Sequence, residues 1–239
     1  MIGTIINGAA ILLGSAVGLL FGAQLPDRIR NTVVSGIGLF TMVLGIKLFL
    51  STQNSLLVLG SLLIGAMLGE WWRLEERLES LGSWLEKKLI KKNGEEQSKS
   101  KFVKGFVTAS LVFCIGPMAI LGSIQDGLTG DFSLLAIKSI LDAFASLAFA
   151  STLGIGVAFS VLPTCVYQGG ISLMANQLQI IVSDAMMNEM TAVGGVILVG
   201  LSISSLLEIR AIRVGSFLPS LLVAPILVAV LTYFGITLS

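Results

Sequence analysis

Sixteen of the 29 charged residues crowd into one stretch, Glu70–Lys104, and that segregation decides what the rest of the chain can become. Elsewhere lie mostly apolar runs at about 2–22, 30–50, 54–71, 104–124, 136–160, 164–183, 190–208 and 214–237. Each is about the length a helix needs to cross ~30 Å of hydrocarbon. Charged residues make up only 12% of the sequence, against roughly a quarter in a typical soluble domain. A bilayer offers the backbone no hydrogen-bond partners, so unbroken apolar runs of this length fold as helices. The expected fold is all-α, a polytopic transmembrane bundle of about eight spans.

The connections carry an orientation signal. Arg28 and Arg30 follow the first run, nine Lys/Arg lie between the third and fourth, and Arg210 and Arg213 lie between the seventh and eighth. The intervening connections hold Asp126, Asp131, Asp184 and Glu189 and no Lys or Arg. By the positive-inside rule the basic side faces the cytoplasm, which places both termini outside. The first run lacks the basic start of a cleaved signal peptide and is expected to stay as a helix.

An internal echo adds a plan. Ile5–Ala9 returns as Val166–Gly170, Thr32–Gly36 as Thr191–Gly195, and Ser61–Leu68 as Ser220–Leu227, at offsets of 161, 159 and 159 residues. Spans one to three thus map onto spans six to eight, and a shift of five spans reverses direction through the bilayer. The expectation is a pair of inverted three-helix repeats flanking a central hairpin, a construction common in secondary transporters. The segments are 1–71, the first repeat; 72–101, a cytosolic amphipathic helix and linker; 102–162, the central hairpin; and 163–239, the second repeat.

In the charged stretch, Trp71, Leu74, Leu78, Leu81, Leu85 and Leu89 recur at steps of three and four, which predicts an amphipathic helix. Trp71, Trp72 and Trp84 suit a membrane interface, and Lys91–Lys101 is expected to be a flexible linker.

Several chemistries are unsupported. The sequence has no histidine, so no His general base, proton relay or metal ligand is available. Cys114 and Cys165 have no disulfide or zinc spacing and are expected to be small buried residues. There is no Gly-x-Ser-x-Gly elbow and no paired catalytic aspartate motif, so an enzyme is not expected. A net charge of +1 implies no attraction to nucleic acid. No cofactor is expected, and the sequence leaves any metal open.

Polar groups inside hydrocarbon are costly and call for a reason. Asp142 lies within span five, with Lys138 four residues earlier on the same helical face. A cation or proton site and a structural ion pair are both open readings. Gly116-Pro117 interrupts span four, where Pro117 is expected to release a carbonyl near residue 113. Asp126 lies at the end of that broken span, and Ser110 lies upstream on it. Asn7 and Gln168 are repeat-related carboxamides, each followed by glycine, with Tyr167 beside the second. They are expected to line a pathway or to join helices. Gly14, Gly18 and Gly22, and separately Gly65 and Gly69, form small-residue faces suited to close helix packing or a homodimer seam.

The run Gly105–Gly127, with Lys138–Asp142, Tyr167–Gly169 and the opening Gly3–Gly8, resembles the bacterial membrane family DUF554, and the likeness covers essentially the whole chain. Ser110, Pro117, Asp126, Asp142, Tyr167 and Gln168 fall on family-type motifs. The resemblance implies a bacterial inner-membrane protein of the kind regarded as a transporter of unassigned substrate. The expected function is a secondary transporter or ion-conducting protein for a small solute or cation. The competing expectation is a non-transporting scaffold or sensor that recruits a partner through helix 71–90.

Overall fold

The computed structural model describes residues 1–22, 26–89 and 96–234; the first half of the expected linker and the end of the expected eighth span lie outside them. Every regular element among these residues is helical: α1 (Ile2–Gly22), α2 (Asp27–Phe49), α3 (Ser55–Trp71), α4 (Leu74–Leu89), α5 (Glu96–Cys114), α6 (Pro117–Thr129), α7 (Ser133–Leu153), α8 (Gly156–Phe159), α9 (Val161–Leu173), α10 (Ala175–Ile181), α11 (Asp184–Leu201) and α12 (Ser220–Tyr233). A π-helical turn, Ser202–Leu206, extends α11, and a 3-10 turn, Val214–Phe217, precedes α12.

Six stretches are long and apolar enough to cross a membrane: Ile2–Gly22, Asn31–Phe49, Ser133–Leu153, Gly156–Leu173, Asp184–Leu206 and Val214–Tyr233. Two bent pairs, α3 with α4 at 57° and α5 with α6 at 62°, raise the possible number to eight. In α3 and α4 only the first member is apolar. Its 17 residues rise about 26 Å, close to the hydrocarbon thickness, and the charged α4 turns aside.

Several boundaries differ from the sequence expectation. Span five ends at Leu153 rather than 160, because Gly154 takes φ +84°, a left-handed conformation that suits glycine. Pro163, expected in a connection, is in the first turn of α9, where a missing N–H removes no intrahelical bond. Residues 96–101, expected to be linker, already belong to α5. The apolar stripe of α4 is also divided: Leu85 and Gly82 pack on Phe102, Val103 and Phe106, whereas Leu81 is exposed.

The contacts group the residues into two compact units. Unit 1 comprises Met1–Ile37 and Glu79–Ile180, and unit 2 comprises Gly38–Leu78 and Ile181–Ser239. In unit 1, α1 and α7 run parallel. Gly14, Gly18 and Gly22 lie against the carbonyls of Ala143, Leu147 and Ser151, so a methyl group at any of the three would collide with backbone. The GxxxGxxxG face is therefore filled from within the chain. Helix α9 crosses α1 antiparallel, with Gly8 on Cys165 and Val161 and Asn7 opposite Gln168. In unit 2, α2 lies antiparallel to α11, joined at Gly45–Gly195 and at Gly38 against Leu206 and Leu207. Helix α3 lies antiparallel to α12 and the turn before it, with Gly65 on Ser220 and Gly69 on Ser216.

Candidate functional site

The sequence residues that unit 1 brings together lie on one face each of α1, α7 and α9. On α7, Lys138 and Asp142 are one turn apart and form an ion pair; both side chains are buried, 7% and 10% exposed. The Phe113 ring centroid of α5 lies 5.9 Å from the Lys138 ammonium, within cation–π range. From α1, Asn7 interacts with the Asp142 carboxylate and donates through Nδ2 to Gln168 Oε1 of α9 at 3.3 Å. Cys114, at the end of α5, has its sulfur 4.0 Å from Thr164 Oγ1 of α9. Tyr167 is half-buried on α9 beside Gln168.

The carboxamides are only half used. Asn7 Oδ1 and Gln168 Nε2 are buried without a protein partner among the described residues, as are the hydroxyls of Thr4, Ser15, Ser123 and Ser146. A carboxamide has two acceptor positions and two donors, so the pair presents one unused acceptor beside one unused donor. A buried polar group left unsatisfied costs about 1–3 kcal/mol, so these open groups are expensive to keep inside the bundle.

Asp126 is placed differently from the expectation of a pathway carboxylate. Its side chain is fully buried at the end of α6 and accepts from the Met1 ammonium at 3.0 Å and from Gly3 N at 3.1 Å. It thus closes the first turn of α1, where backbone N–H groups have no helical acceptor. Gly3 precedes Asn7 by four residues, so the Asp126 contact sits about 6 Å along α1 from the Asn7 level.

Ser110 spends its hydroxyl on the Phe106 carbonyl of its own helix at 2.6 Å. The break at Gly116-Pro117 is real, but its cause differs from a proline kink. Helix α5 ends at Cys114, Gly116 adopts φ +143° and ψ +149°, and Pro117 is the first residue of α6. Pro117 removes no interior hydrogen bond; Gly116 supplies a conformation closed to residues with a Cβ.

One buried carboxylate was missed by sequence reasoning. Glu189, expected in an outer connection, lies inside α11 of unit 2 and is 1% exposed. It accepts from Thr52 Oγ1 at 2.6 Å, Gln53 N at 2.8 Å and Asn54 N at 3.2 Å, clamping the α2–α3 turn. The available signal was Ser183, which starts α11 as its N-cap and carries the helix through Glu189. Among the described residues no group of three or more Cys, Asp or Glu side chains is arranged to hold a metal ion.

The sequence profile described as "Protein of unknown function (DUF554)" matches residues 2–229. The chain belongs to this family. It is 33% identical over 240 residues to "Uncharacterized membrane protein YdfK" of Bacillus subtilis (strain 168), covering 99% of each chain. It is 32% identical over 224 residues to "Uncharacterized protein YqgA" of Escherichia coli (strain K12), covering 94% of each. No solved structure matches it. The apolar helices and the membrane relative make this DUF554 chain an integral membrane protein.

Proposed function

We propose that this DUF554 protein is a secondary transporter or ion-conducting protein for a small solute or cation, with its pathway along the α1–α7–α9 seam of unit 1. The observation that carries the reading is the buried Lys138–Asp142 pair beside the half-used Asn7 and Gln168 amides. A buried ion pair is weak as a source of stability, because well-packed apolar residues serve as well or better. A costly pair in a membrane-length helix, next to an unused donor and acceptor, is suited to binding and release. Asp142 would hold a cationic group, Lys138 would balance it, and Asn7, Gln168 and Tyr167 would shape the path.

An inverted repeat with alternating access completes the proposal. It is supported by the packing of the repeat-related helices: α1 with α9, α2 with α11, and α3 with α12 each meet antiparallel within one unit. The Asn7–Gln168 bond joins residues separated by the repeat offset itself, 161. The basic connections favour both termini outside, and the bacterial relatives favour a bacterial inner membrane. A homodimer would have to use faces other than the glycine seams, which α7 and α12 occupy.

The test is uptake by purified protein in proteoliposomes, screened across monovalent cations, divalent cations and small organic solutes under an imposed gradient. Uptake of at least one class that disappears in Asp142→Asn supports the proposal. Absence of flux for every class, together with unchanged growth of cells carrying Asp142→Asn, overturns it. The scaffold reading is favoured by the exposed Leu81 and Trp84 on α4. It predicts instead that deletion of residues 71–101 abolishes function while Asp142→Asn preserves it.

A further inference from the structure

We infer that α4 lies along the cytosolic membrane surface and recognises anionic phospholipid head groups through the stripe Arg77–Leu81–Trp84–Lys88. Steps of four, three and four residues set these side chains within about 40° of one line on a helix turning 100° per residue. All four are exposed, including the large apolar groups of Leu81 (47%) and Trp84 (53%). Lys88 Nζ sits 4.8 Å from the Trp84 ring centroid, so a cation and an amphipathic ring form one unit. Arg77 supplies a second cation at the other end of the apolar pair.

The remaining faces of α4 are committed elsewhere. Gly82 and Leu85 pack on α5, and Glu75 receives Gly215 N, on the side away from the stripe. Glu79 shares that far side and Glu76, paired with Arg73, lies on a flank about 110° from the stripe, so the acids stand off the cationic and aromatic line. A lipid surface fits this arrangement: apolar groups enter the head-group boundary, cations meet phosphates, and acids face water.

The entry to α4 sets its depth. Helix α3 ends at Trp71, 80% exposed, followed by Trp72, 50% exposed, both suited to the interface. The chain then bends by 57° through Arg73, which holds φ +51°. A left-handed non-glycine residue is uncommon, and here the turn keeps an exposed cation where glycine would be the ordinary choice. An apolar helix that ends in two tryptophans and turns sharply into a charged one leaves that second helix level with the head groups.

The experiment uses the full chain in vesicles, with Trp71→Phe and Trp72→Phe leaving Trp84 as the only tryptophan. Trp84 emission is then read against brominated phosphatidylglycerol or brominated phosphatidylcholine doped at equal mole fraction. Several-fold stronger quenching by the anionic lipid is expected, lost in Arg77→Gln/Lys88→Gln and at high salt. If the two Phe substitutions disturb folding, the wild-type signal minus that of Trp84→Phe gives the same reading. Equal quenching by both lipids overturns the head-group recognition. Weak quenching by either lipid with strong quenching by aqueous acrylamide overturns the surface placement and leaves the stripe to a soluble partner.

Discussion

Units 1 and 2 both bury carboxylates, yet they complete them in different ways. In unit 2, Glu189 is saturated by Thr52, Gln53 and Asn54, and Ser202 closes on the Gly38 carbonyl at 2.6 Å. In unit 1, Asp142 relies on the buried ammonium of Lys138, while Asn7 Oδ1, Gln168 Nε2 and four hydroxyls have no protein partner among the described residues. The first pattern fixes a turn, because three neutral donors occupy most of the carboxylate's acceptor positions. The second leaves hydrogen-bonding capacity on the helices that would form a path. Under the proposed function, rigidity and binding capacity thus fall to different units by one physical rule, that a buried polar group must find a partner; in unit 2 the Ser220 hydroxyl is also left without one among the described residues.

The largest expected effect tests unit 1. Asp142→Asn leaves the Lys138 ammonium buried without its counterion, a change that costs about 3–5 kcal/mol. Thermal unfolding of the purified protein should register it as a clear drop in midpoint. The double change Lys138→Met/Asp142→Leu should recover most of that loss, because a packed apolar pair replaces a desolvated ionic one. Flux should stay lost in both variants. Flux restored by the double change would remove the pair from the mechanism and make the two units alike.

Glu189→Ala is the matching change in unit 2. Three donors lose a charged acceptor, and the expected destabilisation is about 1.5–3 kcal/mol. Uptake per folded molecule should be unchanged, measured by normalising flux to the monodisperse fraction. A loss of flux beyond the loss of folded protein would bring Glu189 into the pathway and break the division between the units.

Next come the glycine seams, which both units share. Gly18→Ala drives a methyl into the Leu147 carbonyl in unit 1, and Gly69→Ala drives one into the Ser216 carbonyl in unit 2. Each should cost about 1–3 kcal/mol from overpacking. Gly60→Ala meets nothing within 4 Å and should be neutral or stabilising by up to ~1 kcal/mol. Equal midpoints for all three would show that the close approaches relax freely.

Most of the fold was legible because hydrocarbon allows few structures. The apolar runs located α1, α2 and α3 closely, and the glycine spacing on α1 announced a tight seam. Asp142, Lys138, Asn7 and Gln168 were legible as polar residues where polarity is costly, and Asn7 with Gln168 also through the matching sequence blocks 161 residues apart. The boundary at Gly154 was not, because apolar residues continue past it and hydropathy alone marks no stop there. The role of Glu189 was hidden for another reason. It depends on Ser51–Asn54, distant in sequence, and no local pattern in α11 names a partner 137 residues away. Asp126 likewise read as a loop acid, because its donors are backbone N–H groups that carry no sequence signature.

The smallest effect lies at the helix starts outside the hydrocarbon, and it separates the units by charge. In unit 1, Asp131 receives Ser133 N at 3.0 Å, the Ser133 hydroxyl at 2.6 Å and Gln125 Nε2 at 2.7 Å, at the start of α7. The Ser133 bonds hold its carboxyl below the ordinary range. A lowered folded-state pKa contributes stability above the unfolded value, near pH 4, and that contribution disappears as pH falls through the folded value. In unit 2, α3 is capped by the neutral Asn54, whose Oδ1 accepts from Leu56 N at 3.1 Å and Leu57 N at 3.3 Å. Amide hydrogen exchange, corrected for intrinsic rates, should therefore show the first turn of α7 losing protection below about pH 4 while the first turn of α3 does not. Asp131→Asn should flatten the pH response of α7 to resemble that of α3. Because Asp131 is fully exposed and screened by water, the change should stay confined to that turn and leave the midpoint of the whole protein in place.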